Sequence, residues 1–407
     1  MSPAVTAQVS ELDLPFFDVV SDAYEADPHA VLDGLRASSW VVRSPLGFSV
    51  LAYEQAKDLK RSNDIVRIFD AMDPELSPML AKMAEESISS QHGPRLVQLR
   101  RLVLQAMRPH QVAARERDLS QIMHGLLDQV EGEGEPDLVA RVLEPYPGLI
   151  MGPIMGVPFA EAGQLDRWAT VINELGNHSR YGLRVPAIEE AWLALESYLT
   201  DQISRKRAEA TNDVLGDLVQ AADADNGVDD HDLLGLAMSI VTASIDNVRS
   251  ELALTFEALL DHPDQWGALR EDPSLVAAAV EEGLRYVPAG DDIQHRVARD
   301  TELGGIGFAQ GTLLFIVKKA VNHDPAAFEA PHRFDIRREG PAHLTFGFGL
   351  HACVGATVAR SALSAGLTAL NQRVSSWERL GPSKRAPMAS GGRPLALPLR
   401  VTVEPRA

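Results

Sequence analysis

One cysteine stands among 407 residues, inside a glycine-rich run, Phe346-Gly-Phe-Gly-Leu-His-Ala-Cys353-Val-Gly355, that leads directly into the proline-free, Ala- and Leu-rich residues 356–370. A lone cysteine cannot close an internal disulfide, so Cys353 is either a small buried hydrophobe or a thiolate that reacts or binds a metal. The run must turn tightly on its glycines and then launch a helix, whose N-terminal amides and partial positive charge favour an anion. Any fold open to this chain must bring that loop and that helix start together.

The rest of the composition narrows the class. Hydrophobic residues make up 45% and charged residues 23%, an ordinary globular balance with material for a large core. A formal charge of -19 repels a phosphate backbone, so no nucleic-acid partner is expected. No apolar stretch is long enough to span a bilayer, and residues 1–17 carry Glu11 and Asp13 where a secretion signal would be basic and then apolar. A cytoplasmic, membrane-free protein is the expectation.

Along the chain, residues 40–45 and 48–53 are β-prone runs around Leu46-Gly47 and read as a hairpin. From Tyr53 to about Asp261 helical spacing dominates, in residues 100–107, 119–130, 189–207 and 233–260. Breaks fall at residues 131–136, at Val157-Pro158 and at residues 223–230, where Gly, Pro and Asp cluster. Beyond Tyr286, glycines 304, 305, 307 and 311 punctuate short runs such as residues 312–317, which read as strands. With no repeat and no linker, one domain over residues 1–407 is expected, mainly α with a minor β region.

The cysteine loop can be read from chemistry. A thiolate on iron must be held deprotonated and screened from water, and backbone amides on a tight loop at a helix N-terminus do both. Gly347, Gly349 and Gly355 permit that loop, and Gly349 and Gly355 let backbone approach a flat macrocycle; Phe346 shields the sulfur side, and His351 is placed to donate to a carboxylate such as a haem propionate. In phenylalanine, glycines, histidine and cysteine the stretch resembles the cysteine-ligand loop of the cytochrome P-450 family. The resemblance implies a triangular-prism helical core around haem b (iron protoporphyrin IX), with Cys353 as the axial iron ligand.

Further motifs carry the resemblance across nearly the whole chain. Glu282-Gly-Leu-Arg285, with Arg333 in Pro331-His-Arg-Phe334, resembles the family's buried Glu-Arg-Arg network, a structural feature. Ala243-Ser244-Ile-Asp246-Asn247 resembles the oxygen-activation segment of the helix over the haem, but Ser244 stands in place of glycine and Asn247 in place of a threonine whose hydroxyl passes protons. An amide lacks that rotating O–H, so three routes stay open: an ordered water or substrate hydroxyl completes the relay, hydrogen peroxide supplies the oxygen, or the outcome is dehydrogenation or coupling. Arg100 matches a propionate-binding arginine and Arg296 another, while Leu96 occupies a position where many relatives carry a further propionate partner.

The implied activity is a haem-thiolate monooxygenase that hydroxylates or otherwise oxygenates a small organic molecule, a secondary metabolite, with dioxygen and two electrons. The electrons imply a ferredoxin or flavodoxin and its reductase, since one cysteine cannot ligate an iron–sulfur cluster. Arg100, Arg101, Arg108 and Arg360 are the candidate docking face for that partner. A peroxide-dependent or atypical oxidase and a non-catalytic haem sensor are the alternatives that Asn247 leaves open. The substrate pocket is expected between residues 61–94, 171–187, 289–294 and 388–393 and the distal helix; Asp291-Asp292 could meet a basic group there.

Overall fold

Local signals set the main elements of the computed structural model, which describes residues 7–68, 75, 77–108, 114–176, 184–209, 211–388 and 391–406. Nine helices frame the site: α1 (Pro28–Ser38), α2 (Gly93–Ala106), α3 (Glu116–Asp128), α4 (Pro145–Met155), α5 (Phe159–Ile172), α6 (Val185–Ala208), α7 (Asp230–Asp261), α8 (Val276–Tyr286) and α9 (Ala356–Arg373). The long helix α7 starts at a reciprocal cap: the Asp229 carboxylate accepts from the Asp232 amide at 2.9 Å, and the Asp232 carboxylate from the Asp229 amide at 3.0 Å. Helix α4 stops at Gly156, which adopts φ 65°, a conformation costly for a side-chain-bearing residue.

Helix α7 runs through the middle and packs against α4, α5, α6, α8 and α9. Two glycines permit the closest approaches. A β-carbon on Gly283 of α8 would stand 2.6 Å from Thr255 Cγ2 of α7, and one on Gly366 of α9 would stand 3.3 Å from the Leu252 methyls. The surrounding core includes Phe256, Trp266, Leu252, Leu363 and Leu367, with Phe256 and Trp266 edge to face at 5.8 Å. Truncating Phe256, which is fully buried, would cost about 3–5 kcal/mol through lost burial and the cavity left behind.

Among the described residues the minor β region comprises three two-stranded sheets and, at its centre, a five-stranded sheet. Its strands are β1 (Val41–Ser44), β2 (Gly47–Val50), β3 (Ile65–Arg67), β4 (Asp292–Val297) and β5 (Leu313–Val317), in the order β1-β2-β5-β4-β3. The expected hairpin is β1–β2, paired antiparallel with Val41 opposite Val50. Strand β3 interrupts the stretch read as helical; Val66 pairs with Arg296 and Arg67 with His295, a contact 228 to 230 residues away in sequence that fixes the strand. β2 pairs parallel with β5, so N-terminal and C-terminal segments share one sheet. We infer from this interlacing that residues 1–407 form one domain. Among the described residues, no helix is long and apolar enough to cross a membrane.

Candidate active site

The cysteine loop is built by its backbone. Gly347 and Gly349 take φ 62° and 70°, the left-handed region glycine adopts freely, whereas Gly355 does not; it is the N-cap of α9. The Cys353 amide donates to the Phe346 carbonyl at 2.8 Å, and the Gly347 amide to the Leu344 carbonyl at 2.8 Å. The Cys353 side chain keeps solvent access although protein crowds round it. Burial pushes the thiol up, opposed by a hydrogen bond from the Gly355 amide and by the charges of Arg67, Arg100 and Arg360. The same groups would favour a thiolate once a metal removes the proton. Arg360 lies over the Phe346 ring at 4.7 Å, which fixes the aromatic beside the loop.

Cations converge beside the loop. Arg100 on α2 donates to the Ala352 carbonyl at 2.7 Å and Arg67 on β3 to the His351 carbonyl at 3.3 Å. Burial lowers the His351 pKa to about 3 with help from Arg67, His92, Lys60 and Arg100, so the ring is neutral and offers one N–H. The His92 ring lies 5.6 Å from that of His351, and the charge of the exposed Arg296 acts on it. Burial lowers Lys60 to about 7, aided by Arg67 and Lys318, and its Nζ has no hydrogen-bond partner among the described residues; nor has Arg67 Nε. The charges acting on Lys60 and His351 are other cations and cationic side chains. Two orphaned buried donors in a self-repelling cluster call for an anionic group, and the two carboxylates of a haem would satisfy them. The site therefore fits the cofactor.

The opposite wall is a stripe on α7. Gly235, Ala243 and Asn247 are exposed and Ser239 half-buried, at four-residue spacing on one face, whereas Ile240, Val241, Ile245 and Val248 are buried. On a helix packed against other helices on several sides, such a stripe faces an internal open space. The Asn247 amide nitrogen donates to the Ala243 carbonyl at 2.9 Å, which leaves its Oδ1 and one N–H for that space. Ser244 is half-buried one position along. Asp246 pairs with the buried Arg249 at 3.3 Å, and Arg249 also holds Asp166, the Thr170 hydroxyl and the Glu144 carbonyl.

The expected Glu-Arg-Arg network needs one correction. Arg285 grips Glu282 through two bonds of 2.7 and 2.8 Å, both residues buried. The second guanidinium on Glu282 belongs to Arg338, at 3.2 Å to each carboxylate oxygen. Arg333 has a 68% exposed side chain that reaches only Asp335, at 3.7 Å, and it joins the network through its carbonyl, which accepts from Arg285 and Arg338. Arg285 also donates to the carbonyls of Asn322 and Pro331. Asn322 bonds Leu344 and Thr345 at the root of the cysteine loop, so the network positions the ligand from behind.

The docking cations and pocket walls stand as follows. Arg101 pairs with Asp225 and Arg360 with Glu281, while Arg108 is exposed. Asp291 is buried beside Lys318 and Lys319 instead of facing solvent. Residues 69–74, 76, 177–183 and 389–390 of the expected substrate walls lie outside the described residues. Lys60, Arg67 and His92 were not anticipated from the sequence. His92 alone carried a signal: it stands one turn before Leu96, on the approach to the helix of Arg100.

Comparison with known proteins agrees with this architecture. The family model for cytochrome P-450 matches residues 186–377. The luteothin monooxygenase of Streptomyces thioluteus is 30% identical over 411 residues, covering 98% of this chain and 99% of that one. The 6-deoxyerythronolide B hydroxylase of Saccharopolyspora erythraea is 29% identical, over 84% of this chain and 87% of its own length. Among solved structures, cytochrome P-450 CYP109Q5 from Chondromyces apiculatus superposes with a TM-score of 0.82 at 26% identity, over 95% of this chain and 98% of that one.

Proposed function

The chain belongs to the cytochrome P-450 family and is a haem-dependent monooxygenase; from that premise we propose that it binds haem b through Cys353 and oxygenates a small secondary metabolite in the cytoplasm, with electrons from a ferredoxin or flavodoxin and its reductase. The observation that carries this reading is the sole thiol of the chain, accessible on a glycine loop and bonded by the Gly355 amide, next to a cluster of cations. Luteothin monooxygenase and 6-deoxyerythronolide B hydroxylase, by their names, act on such small organic molecules, which supports the substrate class.

The residues divide the work. Cys353 binds iron; the Gly355 amide, Arg67 and Arg100 stabilise its charge, and Phe346, Gly347 and Gly349 shape the loop around it. Arg100, Arg296 and His351 would hold the propionates, joined by Lys60, Arg67 and His92. When bound, the haem would supply the oxidising chemistry, with the Cys353 thiolate as the ligand that tunes it. Ala243 and Ser244 are small side chains that would leave room for the macrocycle, and Asn247 would orient a water through its Oδ1 and free N–H. Asp246, held by Arg249, returns protons to that water from the solvent side. Docking of an acidic electron carrier falls to Arg108, because Arg100 is given to the propionates and Arg101 and Arg360 are already matched by Asp225 and Glu281.

The test is a titration of the ferric absorption spectrum with terpenoids, fatty acids, macrolides, aromatic ethers and cyclic peptides. A fitting ligand displaces iron-bound water and shifts the Soret band to shorter wavelength, naming the class; turnover with a reductase and ferredoxin then yields an oxygenated product. Product formed with peroxide but never with reductant and dioxygen would replace this reading with a peroxide-dependent one, the outcome in which Asn247 does not deliver protons.

A further inference from the structure

Arg285 bonds the carbonyls of Asn322 and Pro331, and the residue after each is a histidine. His323 and His332 face a third, His29, in the first turn of α1. Their ring centroids are 4.3 Å (His29 to His323), 5.1 Å (His29 to His332) and 5.3 Å (His323 to His332) apart. Each offers a nitrogen within 4.8 Å of the other two. We propose that His29, His323 and His332 bind a divalent d-block cation of zinc-like preference, at a site separate from Cys353.

The hydrogen bonds around the rings prepare them for this. His323 Nδ1 lies 2.9 Å from the Lys319 carbonyl, an acceptor only, so Nδ1 carries the proton and Nε2 the lone pair. That Nε2 is buried, on a residue 1% exposed, and has no partner among the described residues. His332 Nε2 lies 2.6 Å from the Asp33 carboxylate, which accepts a hydrogen bond from Nε2–H, so the lone pair sits on Nδ1. Carbonyl and carboxylate groups behind the ligating rings fix tautomer and orientation at metal–histidine sites in just this way.

The electrostatics select the ion. Burial lowers His29 to about 4, with Lys319 and His332 acting in the same direction and Asp33 and Asp27 against them. Burial also holds His323 well below its usual range, aided by the charges of His29, Arg285 and His332 against the Lys319 hydrogen bond. Both rings are therefore neutral at neutral pH, with lone pairs available. Asp33 is engaged by Arg36 and His332, so no free carboxylate offers itself to calcium or magnesium, whereas imidazoles suit zinc, nickel or copper. Bonds of about 2.0–2.1 Å in a tetrahedron place ligand nitrogens roughly 3.3 Å apart, so the rings close by about 1.5 Å at most. His332, 43% exposed, has the freedom to do so and leaves the fourth position to water. An ion here would tie α1 to the two segments whose carbonyls hold Arg285.

The experiment is equilibrium dialysis of the chelator-washed holoenzyme against zinc chloride, with zinc and iron counted separately by atomic emission. One zinc per haem iron is expected, unaffected by excess calcium or magnesium. His29→Ala and His332→Ala should each weaken zinc binding by about tenfold or more, with iron content and absorption spectrum unchanged. Zinc at a hundredfold its parent dissociation constant should raise the melting temperature by about 3 °C in the parent and by about 2 °C or less in each single variant. No zinc above background, or equal zinc in the parent and the double variant His29→Ala/His332→Ala, overturns the proposal.

Discussion

Replacing Arg338 and Arg333 separately distinguishes two guanidiniums five residues apart in sequence. Glu282 is buried and accepts from Arg285 Nε and NH2, from Arg338 Nε and from the Asp335 amide at 2.8 Å. Glu282→Ala strands a buried guanidinium and an amide, a change that costs about 3–5 kcal/mol. Arg338→Ala removes a side chain only 12% exposed that also bonds the carbonyls of Glu329, Ala330 and Arg333, so three acceptors and Glu282 lose a charged donor at a cost of about 2–4 kcal/mol. Arg333→Ala removes an exposed side chain 3.7 Å from Asp335 and keeps the carbonyl that the network uses, a loss of about 0–1 kcal/mol. At roughly 2.1 cal/mol/K of unfolding entropy per residue, 407 residues give about 0.85 kcal/mol/K. The expected falls in melting temperature are therefore about 4–6 °C for Glu282→Ala, about 2–5 °C for Arg338→Ala and about 1 °C or less for Arg333→Ala. Thermal denaturation read by circular dichroism, with haem content per chain, checks all three. If Arg333→Ala lowers the melting temperature as much as Arg338→Ala, the assignment of the second guanidinium is wrong.

Two further predictions concern α7. Asn247→Ala should leave folding and haem content intact, because the side chain is exposed and its one hydrogen bond among the described residues is to its own helix, while product formed per reductant consumed falls by about tenfold or more; unchanged product yield would remove Asn247 from the proton route. Glu251 is fully buried, and burial raises its pKa from 4.5 to about 7, against the Ala289 amide hydrogen bond, Lys318 and Thr255. Because its folded pKa lies above the unfolded one, the stability it contributes is complete below about pH 4.5 and is lost as pH rises through about 7. Glu251→Gln should flatten the melting temperature between those pH values; an unaltered slope would show that the carboxyl does not titrate there.

What the sequence revealed was what is local. The cysteine loop, the hairpin at residues 41–50 and α7 declare themselves in consecutive residues, through glycine placement, strand propensity and helical spacing. Arg338 escaped because Arg333, Arg337 and Arg338 all fall within six residues, and only packing reveals which guanidinium turns inward. Lys60, Arg67 and His92 were illegible for a different reason: strand β3 is held by pairing with residues more than two hundred positions away, and the cations meet only once that sheet and α2 assemble. The histidine cluster has the same character, its members drawn from residues 29, 323 and 332 with no spacing motif to connect them.

The most direct test of Cys353 as the iron ligand is the absorption spectrum of the reduced, carbon monoxide-saturated protein. Cys353 is the only cysteine, so a thiolate signature has no other source in the chain. The expected result is the strongly red-shifted Soret band of a thiolate-ligated carbonyl complex in the parent protein and its complete loss in Cys353→Ser. A parent spectrum of the imidazole-ligated kind at all pH values, or a thiolate-type band that survives Cys353→Ser, would contradict the assignment.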